Sequence, residues 1–226
     1  MRIELSTGTP AELVRPDHVD GSTRGLVVFP DIMGLRPLFD ELCERLAGEQ
    51  GWVVCAPEPF PGPSGAAEDG PFGIEERMAA MRTLSDTRLR ADAEAAAAAT
   101  GCDAVGAIGF CMGGMLAFKA AGSGAFDRVA GFYGMIRLPE AWRGPDLADA
   151  LDVLRRPERC PTLAIIGTAD PYTPPADVAD AEAAGVQVVR YEGAEHGFVH
   201  DASRPAHRAA DAADAWARVI GFLAGS

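Results

Sequence analysis

Cys111 sits in Gly109-Phe110-Cys111-Met112-Gly113-Gly114, between the apolar run Ala104–Ile108 and the apolar, helix-type segment Met115–Ala121. A G-x-C-x-G-G turn in this setting matches a nucleophile elbow. There the reactive residue occupies a strained strand-to-helix bend, and small residues two positions to either side let the backbone crowd together. The side chain then projects beyond the sheet at a helix N-terminus, where aligned peptide dipoles favour a negative charge and hence a thiolate. The competing reading of any one cysteine is a small buried apolar side chain. That is the expectation for Cys43, Cys55, Cys102 and Cys160, which are scattered and form no C-x-x-C pair.

Two more residues follow apolar runs directly. Asp170 comes after Leu163–Ile166 in Gly167-Thr168-Ala169-Asp170-Pro171, and His196 follows Val186–Val189 in Gly193-Ala194-Glu195-His196-Gly197. Alone, Asp170 reads as a turn or cap residue before Pro171, and His196 as a solvated loop histidine. His18 lies in a polar early loop and His207 falls in the terminal helical pattern, so His200 is the one competitor for the role of base. The order decides: nucleophile, acid, base, each after a predicted strand, is the chain order of α/β-hydrolase triads. The aspartate would hold the imidazole tautomer and the imidazole would take the thiol proton. An oxyanion hole should accompany them, built from the backbone N–H of Met112 and an N–H from the loop after an early strand. Phe29-Pro30-Asp31-Ile32-Met33-Gly34 is that loop, which makes Ile32 the second donor.

The elements that must position these residues alternate between strand and helix. Leu26–Phe29, Trp52–Ala56, Ala104–Ile108, Val129–Tyr133, Leu163–Ile166 and Val186–Val189 read as buried strands. Helices are expected over Leu38–Leu46, ending by Gly48 and Gly51, over Ile74–Ala99 with a bend near Ser85, from Pro174/Pro175 to Ala184, and over Ala206–Leu223. Arg2–Ser6 and Ala11–Arg15 are expected to pair as an edge hairpin. Gly134–Arg159 reads as irregular and polar. Pro57–Gly73 holds five prolines and four glycines in 17 residues and reads as a loop. Such alternation implies an α/β fold: a mostly parallel, twisted sheet with helices on both faces, and ligands bound beyond the carboxyl ends of its strands.

Composition narrows the class. The 226 residues suit one α/β domain, 1–226, with a core that needs no metal or disulfide staple. Lys+Arg 20 against Asp+Glu 33 gives −13, which disfavours nucleic acid and anionic membranes as partners. The longest uncharged run, between Asp103 and Lys119, is 15 residues with four glycines, too short to span a bilayer. The start shows no apolar signal stretch, and an odd, scattered set of five cysteines suits a reducing compartment, so a cytoplasmic protein is expected.

Taken together, PDIMGL at 30–35, the GFCMGG elbow, GFYG at Gly131–Gly134, GTADPYTP and EGAEHGF resemble the dienelactone hydrolase (carboxymethylenebutenolidase) family over nearly the whole chain. The resemblance implies an α/β-hydrolase fold without a large lid domain, a Cys111–His196–Asp170 triad, and hydrolysis of a lactone or small ester with no cofactor and no metal. It also implies a glutamate after the first core strand that touches the nucleophile. Asp31 stands there, one methylene shorter, as the candidate modulator of Cys111. Family members acting on dienelactone hold the substrate carboxylate with arginines, one of them four residues after the catalytic histidine. That place is His200 here, and Arg204, Arg77 and Arg82 are the other candidate substrate contacts.

The leading expectation is therefore a hydrolase forming a thioester on Cys111, acting on a small-molecule substrate as a monomer or small homo-oligomer. Two alternatives from other classes are a redox-sensing or thiol-transfer protein using Cys111 without turnover, and a catalytically silent small-molecule-binding scaffold on the same fold.

Overall fold

In a computed structural model that describes residues 1–60 and 73–225, eight strands form one sheet. They are β1 (Arg2–Glu4), β2 (Pro10–Val14), β3 (Gly25–Phe29), β4 (Val53–Pro57), β5 (Val105–Phe110), β6 (Arg128–Phe132), β7 (Thr162–Gly167) and β8 (Gln187–Tyr191). Their order across the sheet is β1-β2-β4-β3-β5-β6-β7-β8. The expected edge hairpin is present: β1 and β2 pair antiparallel, and β2 runs antiparallel to β4. Every pairing from β4 to β8 is parallel.

Strand periodicity of two sorts the core into two layers. From β3, Val27 and Phe29 join one layer while Leu26 and Val28 join the other. The first layer is closed by α3 (Asp86–Thr100) through Ala93, Ala96 and Ala97, and by α4 (Met112–Ala120) through Met112, Met115 and Leu116. The second is closed by α1 (Pro37–Gln50) through Phe39, Cys43 and Leu46, and by α7 (Ala209–Ala224) through Ala215, Val219 and Leu223. Between them in sequence lie α2 (Ile74–Ala80), α5 (Ala150–Leu154) and α6 (Pro175–Ala183). Among the described residues no helix is long and apolar enough to cross a membrane.

Four expectations need correction or limitation. Ile74–Ala99 is two helices: α2 passes into a 3-10 turn at Met81–Thr83, and Leu84 is extended (ψ 146°). The break is fixed by burial of Met81 and by Asp86, whose carboxylate accepts hydrogen bonds from Lys119 Nζ (2.6 Å) and the Ala148 N–H (2.9 Å). Gly134–Arg159 is neither wholly irregular nor polar in its contacts: it holds a 3-10 turn at Glu140–Trp142 and the helix α5. Met135, Ile136, Leu138, Trp142, Leu147 and Leu151 are buried in the first layer, without the periodicity that would reveal it in sequence. His207 precedes the terminal helix, which starts at Ala209, and is half-buried. Of the expected Pro57–Gly73 loop, residues 61–72 lie outside the described residues.

The topology creates the site. From β3 the chain crosses to β4 on one side, and from β4 it returns past β3 to β5 on the other. β3 and β5 are thus neighbours whose connections depart in opposite directions. Their carboxyl ends leave a crevice, the usual binding place in open α/β sheets. The loop after β3 carries Asp31 and Ile32, and the turn after β5 is Cys111.

Candidate active site

Cys111 joins β5 to α4 with φ 57° and ψ −120°, a left-handed conformation that non-glycine residues adopt rarely and at a cost of roughly 1–3 kcal/mol. The bend is held by its N–H, which donates to Phe132 O on the neighbouring strand at 3.0 Å. The flanking glycines are required by contact. A Cβ on Gly109 would lie 1.9 Å from Gly113 O, and one on Gly113 would lie 2.1 Å from Phe29 O and 2.3 Å from Pro30 O. The second clash shows how closely α4 packs on the loop after β3. The Met112 N–H heads α4, and neither it nor the Ile32 N–H donates to another group among the described residues.

His196 lies in the loop after β8, and its Nδ1 is 2.8 Å from Asp170 Oδ2. Asp170 is buried after β7, and its other oxygen accepts the Tyr172 N–H at 2.8 Å. A carboxylate on Nδ1 requires the hydrogen on that nitrogen and leaves Nε2 as the nitrogen that can exchange a proton with a neighbour. The ring is gripped edge-on by Tyr133 (5.1 Å between centroids) and Tyr172 (4.9 Å). Its Nε2 is buried and has no hydrogen-bond partner among the described residues. The Cys111 sulfur faces this ring closely enough to favour a proton on it. Burial alone would disfavour imidazolium. The hydrogen bond to Asp170 and the nearby Cys111 sulfur outweigh it and lift His196 to about 9.

Cys111 and His196 open into one cavity of about 810 Å³, large enough for a small-molecule substrate. Ile32, Met33, Ile74, Met78, Met135 and Trp142 give it apolar walls, and Tyr172 stands at its edge. A second cavity, about 220 Å³ between α3 and α4, contains neither Cys111 nor His196.

The model of the dienelactone hydrolase family matches residues 10–225. The chain belongs to that family. It is 30% identical over 208 residues to a Synechocystis protein assigned as a carboxymethylenebutenolidase, covering 86% of this chain and 82% of the relative. With a carboxymethylenebutenolidase of Rhodococcus opacus it shares 29% identity, covering 95% and 86% of the two chains. A crystal structure from Klebsiella pneumoniae assigned as a dienelactone hydrolase superposes with a TM-score of 0.83 at 25% identity, covering 96% of this chain and 93% of that one. The fold is accordingly the α/β-hydrolase fold of this family, and no large lid domain is present among the described residues.

Within this family frame, the remaining candidates divide sharply. Asp31 borders the cavity, but its carboxylate is not on the thiol. It accepts two hydrogen bonds from Arg36 (2.7 and 2.9 Å), one from His200 Nε2 (3.0 Å) and one from the Met33 N–H (2.9 Å). Burial would raise this carboxyl, yet the His200 and Arg36 hydrogen bonds and the Arg36 charge hold it well below the usual carboxylate range. His200 does not line the cavity: its side chain is 1% exposed, behind the wall. Arg77 is also buried, with Nη1 3.4 Å from Ile32 O and 3.6 Å from Glu58. Arg82 Nε donates to Ala141 O at 2.8 Å, away from the cavity. Arg204 alone of the four candidate substrate contacts reaches the cavity. Its guanidinium lies over Gly197, beside His196, without an ion pair among the described residues.

Sequence reasoning missed Arg36 and Tyr133. Arg36 lies five residues after Asp31 in the same loop, a spacing that signals a local pair only once the loop conformation is known. Tyr133 is part of the GFYG segment, but its φ of 40° and its contacts become visible only in the fold.

Proposed function

We propose that the protein hydrolyses a lactone or small ester through a thioester formed on Cys111. The observation that carries this reading is an imidazole fixed by a buried carboxylate, with its free nitrogen buried beside an elbow thiol in a substrate-sized cavity. His196 Nε2 holds the proton given up by the Cys111 thiol, and the sulfur attacks the acyl carbon. The carbonyl oxygen gains negative charge and is met by the Met112 and Ile32 amides. The C–O bond breaks, and the leaving oxygen takes the proton from the His196 imidazolium. In a lactone that hydroxyl stays on the same molecule. Water then gives a proton to Nε2 and adds to the thioester. Collapse releases the carboxylic acid and returns the proton to sulfur.

Arg204 supports a contact to a carboxylate or other electron-rich oxygen of the substrate. Arg36, neutralised by Asp31, and Arg77, placed against Glu58, are less suited to that task. The test is a panel of dienelactone, neutral lactones and short aryl esters on wild type and Cys111→Ala. Turnover that disappears in Cys111→Ala, with a trapped thioester in wild type, is expected. A variant as fast as wild type would overturn the reading. Iodoacetamide labelling of Cys111 without turnover of any substrate would favour a thiol protein instead.

A further inference from the structure

Beside the candidate site runs a chain of polar groups, buried except at its Arg36 end, that the proposed mechanism leaves unused. It consists of the Arg36 guanidinium, the Asp31 carboxylate, the His200 imidazole and the Tyr133 hydroxyl. Asp31 is ionised, so His200 Nε2, facing it, carries the hydrogen. Nδ1 can then accept the Tyr133 hydroxyl, whose proton is retained because burial pushes that phenol up. Both ring nitrogens are thereby satisfied, and Phe39 (5.9 Å) and Phe110 (5.0 Å) pack on the ring. The four residues come from separate parts of the fold: the loop after β3, the end of β6 and the loop after β8. Each of these segments touches the nucleophile or its partners. Phe132 O, next to Tyr133, holds the Cys111 N–H, and Ile32 follows Asp31 directly.

We infer that His200 is a positioning residue that fastens the oxyanion loop: by tying Asp31 to Tyr133, it holds the Ile32 amide in place before substrate arrives. The inference rests on the proposed acyl transfer at Cys111. Its physical basis is pre-organisation. A donor set in advance stabilises the developing oxyanion without reorganising, and a shift of about 1 Å can cost on the order of 10²-fold in rate. The loop also carries Met33, whose N–H closes a turn on Asp31 Oδ1, so the Asp31 side chain is both the anchor point and part of the loop's own geometry.

Two readouts separate this role from a merely structural one. Alkylation of Cys111 by iodoacetamide displaces iodide from a saturated carbon and forms no oxyanion. Acyl transfer forms one. Substituting His200→Phe fills the space among Phe39 and Phe110 but removes both hydrogen bonds. It is expected to lower kcat about 10- to 100-fold, a part of what loss of an oxyanion donor costs. KM and the alkylation rate at Cys111, read by mass spectrometry of its peptide, should stay within about twofold, since neither needs the oxyanion hole. His200→Gln can still donate to Asp31 and should recover part of the loss.

Unchanged kcat in His200→Phe, or an alkylation rate that falls in parallel with kcat, overturns the inference. So does the absence of any recovery with Gln. If His200→Phe does not fold, Tyr133→Phe is read by the same pair of measurements, with a smaller drop in kcat expected and the same overturning results. Failure of the underlying reading shows elsewhere: Cys111→Ala would then retain turnover.

Discussion

Two histidines four residues apart, His196 and His200, each bond an aspartate carboxylate, at 2.8 and 3.0 Å. The protein treats them oppositely. In His196 only Nδ1 is engaged, and Nε2 is left without a partner beside Cys111 and the cavity. In His200 both nitrogens are engaged, the side chain is 1% exposed, and Asp31 is further neutralised by Arg36. A histidine–carboxylate pair is therefore not by itself a catalytic signature. What separates the two is an unsatisfied nitrogen facing a space where a reacting atom can sit. A fully satisfied polar network confers rigidity instead.

The largest effects should come from breaking the His196 side of this pair. His196→Gln and Cys111→Ala are each expected to cost about 10³-fold or more in kcat, because members of such a unit fail together. The same substitution at His200 should cost at least tenfold less, measured on the same ester. Asp170→Asn keeps the shape but removes the charge and allows the wrong tautomer. A loss on the order of 10³–10⁴ in kcat is expected, with a retained circular-dichroism spectrum as the control for folding.

Next in size is a stability effect on the other side. Asp31→Ala leaves Arg36 and His200 facing an empty site and should destabilise the fold by about 3 kcal/mol in urea unfolding. The pH dependence sharpens the contrast. Asp31 is held below its unfolded value of 3.8, so its contribution is present above about pH 4 and is lost as pH falls further. His196 is raised from 6.5 to about 9, so its contribution is complete below about pH 6.5 and fades as pH rises through about 9. Urea unfolding across pH should show the alkaline loss disappearing in His196→Gln and the acid loss shrinking in Asp31→Asn. The smallest effect concerns Arg204: Arg204→Met should raise KM by about tenfold for a carboxylate-bearing lactone, and far less for a neutral ester.

The elbow was legible because its constraint is local. Gly109 and Gly113 are dictated by backbone atoms within the same turn and the adjacent loop, and their spacing survives in the sequence. Buried strands were legible as apolar runs, and their order along the chain carried Asp170 and His196 to the right end of the sheet. The segment 134–159 was misread because its buried side chains follow no period. Arg77, Arg82 and His200 could not be sorted from Arg204 by type or spacing, since all four are polar residues near the expected site. Their separation depends on partners as far away as Asp31 and Ala141.

By itself the sequence determined the alternation of strand and helix, the strained cysteine turn and the order of Cys111, Asp170 and His196, each after a strand. The tertiary structure alone decided which histidine keeps a free nitrogen, which carboxylate is neutralised and which of Arg77, Arg82 and Arg204 reaches the cavity. Those outcomes depend on which distant groups meet in a dry interior, where every polar atom must find a partner or remain available for chemistry.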